Sequence, residues 1–87
     1  MLVSCTIRSV SIGPESVHLG VETDLMLDNA PVHIPVTLDR KELLNWQADN
    51  SGKTVDDYIL MKIQTVYSLY AKLAQKAATL KDKVVTW

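Results

Sequence analysis

Apolar and polar residues alternate without a break from Ser16 to Asp28. Val17, Leu19, Val21, Thr23, Leu25 and Leu27 form one set, and His18, Gly20, Glu22, Asp24, Met26 and Asp28 the other. Period two over this length predicts a strand with one buried and one wet face. The turn residues Asp28-Asn29-Ala30-Pro31 follow, and then Val32, Ile34, Val36 and Leu38 alternate with His33, Pro35 and Thr37. That predicts a third strand, folded back about Asn29 and Ala30. In this register Leu27 faces Val32, Leu25 faces Ile34, Thr23 faces Val36 and Val21 faces Leu38, so the apolar sets share a face. His33 then falls opposite Met26, and Thr37 beside Glu22. Pro35 cannot donate a ladder bond, which places the third strand at the edge of the sheet.

The first strand, Leu2 to Ile12, changes phase. Val3, Cys5 and Ile7 are apolar at odd positions, Val10 and Ile12 at even ones. A turn at Gly13-Pro14 pairs Ile12 with Val17 and Val10 with Leu19, whereas the first half needs Ile7 opposite Val21, Cys5 opposite Thr23 and Val3 opposite Leu25. The two registers differ by one residue. A bulge that sets Arg8 and Ser9 together against Gly20 reconciles them, because the missing side chain makes room.

Caps announce two helices. Asp39-Arg40-Lys41-Glu42 is a capping-box pattern that opens a short helix through Leu43, Leu44 and Trp46, closed by the loop 49–53. Thr54-Val55-Asp56-Asp57 is a looser cap with two acids in the first turn, and a long helix is expected from it to about Lys81. In that helix Ile59, Ile63, Val66, Tyr70, Leu73, Ala77 and Leu80 recur at spacings of four and three, with Leu60, Tyr67 and Ala74 widening the stripe. Lys83-Val84-Val85-Thr86-Trp87 has strand composition, and its state is left open.

The fold class expected is α+β: a three-stranded antiparallel meander followed by a short helix and a long C-terminal helix packed on one sheet face (βββαα). One domain spans residues 1–87. A chain of 87 residues buries only about 60% of its unfolded surface, so a partner would steady it. Two helices on a sheet about 10 Å wide between its outer strands leave one flank of the long helix bare, and an apolar flank marks an interface. Tyr67, Leu69, Leu60 and Ala74 are the contact residues expected in a homo-oligomer.

Composition narrows the chemistry. A secreted domain this small relies on disulfides, and Cys5 has no second cysteine to pair with, so a cytoplasmic protein is expected. Cys5 alternates inward with Val3 and Ile7 and reads as a core residue. His18 and His33 lie far apart on the wet face, and no ligand spacing for a metal appears. Glu22, Asp24 and Thr37 are neighbours on an open sheet, where little shifts a carboxylate pKa. Phosphate loops, dinucleotide fingerprints and nucleophile elbows are absent from the sequence. An enzyme is not expected, nor a cofactor.

Charge is uneven. Residues 14–57 carry nine acids and three bases, a sum of −6; residues 58–87 carry five lysines and Asp82, a sum of +4. Lys62, Lys72, Lys76 and Lys83 fall on one arc of the long helix, taken as its wet side together with Tyr58 and Thr65. The function expected is a non-enzymatic protein–protein interaction module: a homo-oligomeric accessory protein, of the size class of phage or mobile-element inhibitors and minor virion parts. Two alternatives use other surfaces. One is a nucleic-acid-binding protein that uses the lysine arc to contact phosphates; the other is a small-ligand protein with its site between subunits.

Overall fold

The computed structural model describes residues 3–27, 29–80 and 82–87. Five elements follow in chain order: β1 (Thr6–Ile12), β2 (Ser16–Leu27), β3 (Ala30–Asp39), α1 (Arg40–Asp49) and α2 (Val55–Ala77). The strands form one antiparallel sheet in the order β1-β2-β3, so the chain is a βββαα fold of the α+β class.

β1 pairs with β2 through Val10↔Leu19, Ser11↔His18 and Ile12↔Val17, and through Ile7↔Val21 and Thr6↔Glu22 beyond a register shift between Ile7 and Ser9. Ser9 stands against Gly20, and the Arg8 guanidinium donates to Glu22 at 3.0 Å on the same wet face. The bulge lies where the phase change in the sequence requires it. A Cβ added at Gly20 would overlap the Ser9 hydroxyl. Gly20→Val is therefore expected to lower stability by about 1–3 kcal/mol, an overpacking cost that reverses the usual preference of strands for valine. Ser9→Ala in the same chain should recover part of the loss in thermal melting; no coupling between the two substitutions would place the bulge elsewhere.

The pairing of Val3 and Cys5 with β2 does not occur, because regular strand begins only at Thr6; Leu2 lies outside the described residues. The register of β2 with β3 also differs from the sequence expectation. Val17 faces Leu38, Leu19 faces Val36, Val21 faces Ile34 and Glu22 faces His33, and past a further shift Met26 faces Pro31 and Leu27 faces Ala30. Three residues of β2, Thr23 to Leu25, thus stand against Val32 alone. Thr23 makes this tenable: its buried hydroxyl donates to the Val32 carbonyl at 2.8 Å and accepts the Leu25 N–H at 3.2 Å. The side chain stands in for ladder bonds that the extra residues cannot form. The hairpin closes through Asn29 at φ 64°, a left-handed conformation that asparagine tolerates. Between β2 and β3 every shift is by an even number, so their apolar faces still coincide.

Thr54 caps α2 with a complete box: its hydroxyl accepts from the Asp57 N–H at 3.3 Å, and the Asp57 carboxylate accepts from the Thr54 N–H at 2.9 Å. α2 ends at Ala77 rather than at Lys81, which itself lies outside the described residues. The core consists of Leu19, Val21, Ile34 and Val36 from the two inner apolar rows, closed by Ile59, Ile63, Val66, Tyr67 and Tyr70 of α2. Only the first half of the predicted helical stripe is used, for Leu73 and Leu80 are exposed. Both helices sit towards β3, and β1 is left without a helix above it.

Candidate interaction surface

Ile7, Val10 and Ile12 point to the same face as the core, opposite Val21, Leu19 and Val17, yet all three are exposed, Ile7 at 46% against 0% for its partner Val21 and Ile12 at 80%. The cause is lateral. α2 lies over the β3 side of the sheet, and a helix about 10 Å across cannot also cover a strand at the far edge. The bare strand and the near flank of α2 enclose two open apolar grooves. One, of about 440 Å³, is lined by Ile7, Val10, Leu38, Leu43, Val55 and Ile59, with Glu15, Asp39 and Arg40 also at its walls. The other, of about 700 Å³, lies between Val3, Cys5 and Ile7 on one side and Leu60, Ile63 and Tyr67 on the other.

The four predicted contact residues divide between two flanks. Leu60 is 54% exposed and borders the second groove, and Ala74 is exposed and borders a cleft with Leu25, Met26 and Val32. Leu69 is 61% exposed. At the helical pitch it lies about 160° from Tyr67, on the flank facing α1. Tyr67 is half-buried against the core, and its hydroxyl donates to Asp24 Oδ1 at 2.7 Å. That bond to a carboxylate raises the Tyr67 pKa. Asp24 thus meets the helix as well as water. Ile7, Val10, Ile12 and Val55 were missed by sequence reasoning, since alternation assigns three of them to the core. The signal available was the mismatch between a three-strand apolar face and the single helix able to lie along it.

The lysine arc is not one surface. Lys62 is only 23% exposed in its side chain and reaches the Glu42 carboxylate at 2.8 Å, which ties α2 to α1. Tyr58, placed by the helical projection on the wet side, is the one fully buried residue of α2. α1 explains this, because it folds over that side and packs Trp46 against Tyr58 in a tilted arrangement, ring centroids 5.6 Å apart and planes at 54°. The Tyr58 hydroxyl donates to Glu42 Oε1 at 2.7 Å and accepts the Asp39 N–H at 3.3 Å. Asp39 caps α1 by accepting from the Glu42 N–H at 2.9 Å, while Glu42 binds Tyr58 and Lys62 instead of returning to Asp39. Tyr58 has taken over the second half of the capping box. Burial, with the adjoining carboxylate, pushes the Tyr58 pKa up to about 12, while Lys62 and Tyr58 hold that of Glu42 below its ordinary value. Lys72 borders the cleft beside Tyr70, and Lys76 and Lys83 are exposed.

On the wet face Thr37 stands opposite His18, with 3.2 Å between its hydroxyl and Nδ1, and so is not a neighbour of Glu22 and Asp24. His33 lies across from Glu22, Nε2 to Oε1 3.7 Å, rather than from Met26. Cys5 is half-buried, and desolvation raises its thiol pKa, the opposite of what a nucleophile needs. Among the described residues no group of three or more His, Cys, Asp or Glu converges as metal ligands, and no helix is long and apolar enough to cross a membrane. No family model matches the chain, and neither a curated protein nor a solved structure matches it.

Proposed function

We propose that this chain is a protein–protein interaction module that associates with itself and acts by surface contact rather than by catalysis. The observation that carries the reading is the uncovered apolar row Ile7, Val10 and Ile12 beside the bare flank of α2 at Leu60. Each of these side chains is about half exposed or more; Ile7, Val10 and Leu60 adjoin through the two grooves and Ile12 continues the row along β1, so they form one patch instead of scattered surface residues. Contiguous apolar patches of that kind mark interfaces, and closed pairing of identical subunits is the commonest way to cover them. Burying a side chain such as Ile12 gives about 1.5–3 kcal/mol, and a domain of this size gains from each one.

Sedimentation over a wide concentration range tests the reading. The parent is expected as a dimer or higher closed oligomer at micromolar concentration. Leu60→Glu or Tyr67→Glu should weaken association at least tenfold; Leu69→Glu tests the opposite flank. A parent that stays monomeric at high micromolar concentration overturns the proposal, and a dimer indifferent to both Leu60→Glu and Tyr67→Glu moves the interface off this groove.

A further inference from the structure

Two apolar surfaces of this chain lack a partner, and their shapes and charges suit each other. The first is β1 with its groove. An edge strand offers unpaired N–H and C=O groups, and proteins usually guard such edges. The β3 edge is guarded by Pro31 and Pro35, whereas β1 contains neither proline nor lysine, and its one charge, Arg8, is held by Glu22 on the opposite face from the groove. The second surface is the segment after α2. It is irregular from Asp82 to Trp87, and Val84, Val85 and Trp87 are largely exposed. Four of the last five residues, Val84-Val85-Thr86-Trp87, are β-branched or aromatic, the composition of a strand.

We infer that residues 83–87 of a second copy add to β1 as a fourth strand and seat Trp87 in the apolar groove lined by Ile7, Val10, Leu43 and Val55. This rests on the self-association proposed above and names its contact. Alternation puts Val85 and Trp87 on one face of the added strand, so both can stand over the bare row of β1 while Val84 and Thr86 turn to the wet side. The groove, about 440 Å³, has room for an indole. A buried tryptophan accounts for about 200 Å². Reciprocal exchange counts each contact twice, so the two tryptophans supply about 400 Å² of the roughly 1,200 Å² at the lower end of stable interfaces, and the valines with the β1 side chains they cover add to it.

Charge favours the same pairing. The groove wall carries Glu15 and Asp39 against Arg40, a net of −1, and lies in the acidic part of the chain, whereas the docking segment carries Lys83 and lies in the basic part. Reach argues for a second copy. The hydrogen bond from Lys83 N–H to Leu80 C=O holds a turn there, and four further residues extend about 13 Å. Ile59, at the groove, lies roughly 27 Å back from Ala77 along α2. The segment therefore falls short of the groove of its own chain.

The test uses the full chain and a synthetic peptide of residues 78–87 with a fluorophore at its N-terminus. Trp87 is solvent-exposed, so Trp87→Ser leaves the fold untouched; Val10→Lys changes the acceptor at a position that is 57% exposed. Each substitution is expected to weaken self-association at least tenfold in sedimentation. The labelled peptide should show a saturable anisotropy rise with the Trp87→Ser protein, and little with Trp87→Ser, Val10→Lys. If the parent associates but both variants associate as well as it does, this contact is overturned and general self-association stands. A parent that is monomeric at every concentration removes both. A Trp87 emission that is blue-shifted at all dilutions, read in a Trp46→Phe chain, would mean docking within one chain and also overturns the proposal.

Discussion

Replacing Tyr58 by alanine is expected to cost about 3–5 kcal/mol, the range for loss of a buried aromatic side chain. The total stability of a chain of 87 residues is of order 4–13 kcal/mol, so this one change removes a large share of it and, at the lower end, leaves the domain partly unfolded at ambient temperature. The size of the effect follows from position. Tyr58 is 1% exposed, and it joins the start of α2 to both the cap and the body of α1 through Asp39, Glu42 and the Trp46 ring. Tyr58→Phe keeps the ring and isolates the hydroxyl; its loss leaves the Asp39 N–H without its acceptor, at about 1–2 kcal/mol. A chemical-denaturation series of both variants measures these numbers, and a Tyr58→Ala chain as stable as the parent would mean that α1 does not pack here. A pH dependence accompanies them. The Tyr58 pKa is pushed up to about 12 in the fold from an unfolded value near 10, so the neutral hydroxyl is the form the fold favours. Its contribution is complete below pH 10 and is lost as pH rises from 10 to 12. The alkaline loss of stability in that window should be smaller in Tyr58→Phe.

The second large effect is a contrast between two isoleucines on the same face of the sheet. Ile34→Ala should cost about 2–5 kcal/mol, because Ile34 is 1% exposed among Val21, Val36 and the α2 side chains and its removal leaves a cavity. Ile12→Ala in the monomer should cost about 0.5 kcal/mol or less, since that side chain is already in water. Equilibrium unfolding at a concentration low enough to keep the chain monomeric makes the comparison clean. At high concentration the same Ile12→Ala variant should lose stability with the partner it no longer holds, by mass action. Equal costs for the two substitutions at low concentration would show that β1 is covered within one chain, and would remove the basis for an interaction surface there.

Much of the architecture is legible from alternation. The strands, the buried faces of β2 and β3, the edge position of β3, the two helix caps and the bulge at Arg8-Ser9 against Gly20 all follow from local residues, because period, proline, glycine and capping chemistry act over a few residues each. The β2–β3 register was not legible. Alternation settles which face a residue occupies, and any even shift satisfies it equally; the choice fell to Thr23, whose hydroxyl supports extra residues opposite Val32. Helical projection likewise located the stripe of α2 but misjudged Tyr58 and Lys62, because what lies beside a helix depends on where the neighbouring helix folds. Period and capping in the sequence by themselves therefore determined the elements and the sides they present. Only the tertiary structure decided that the helices sit towards β3 and leave β1 open, since that outcome depends on how two helix widths divide a three-strand sheet, a competition over area that no single segment records.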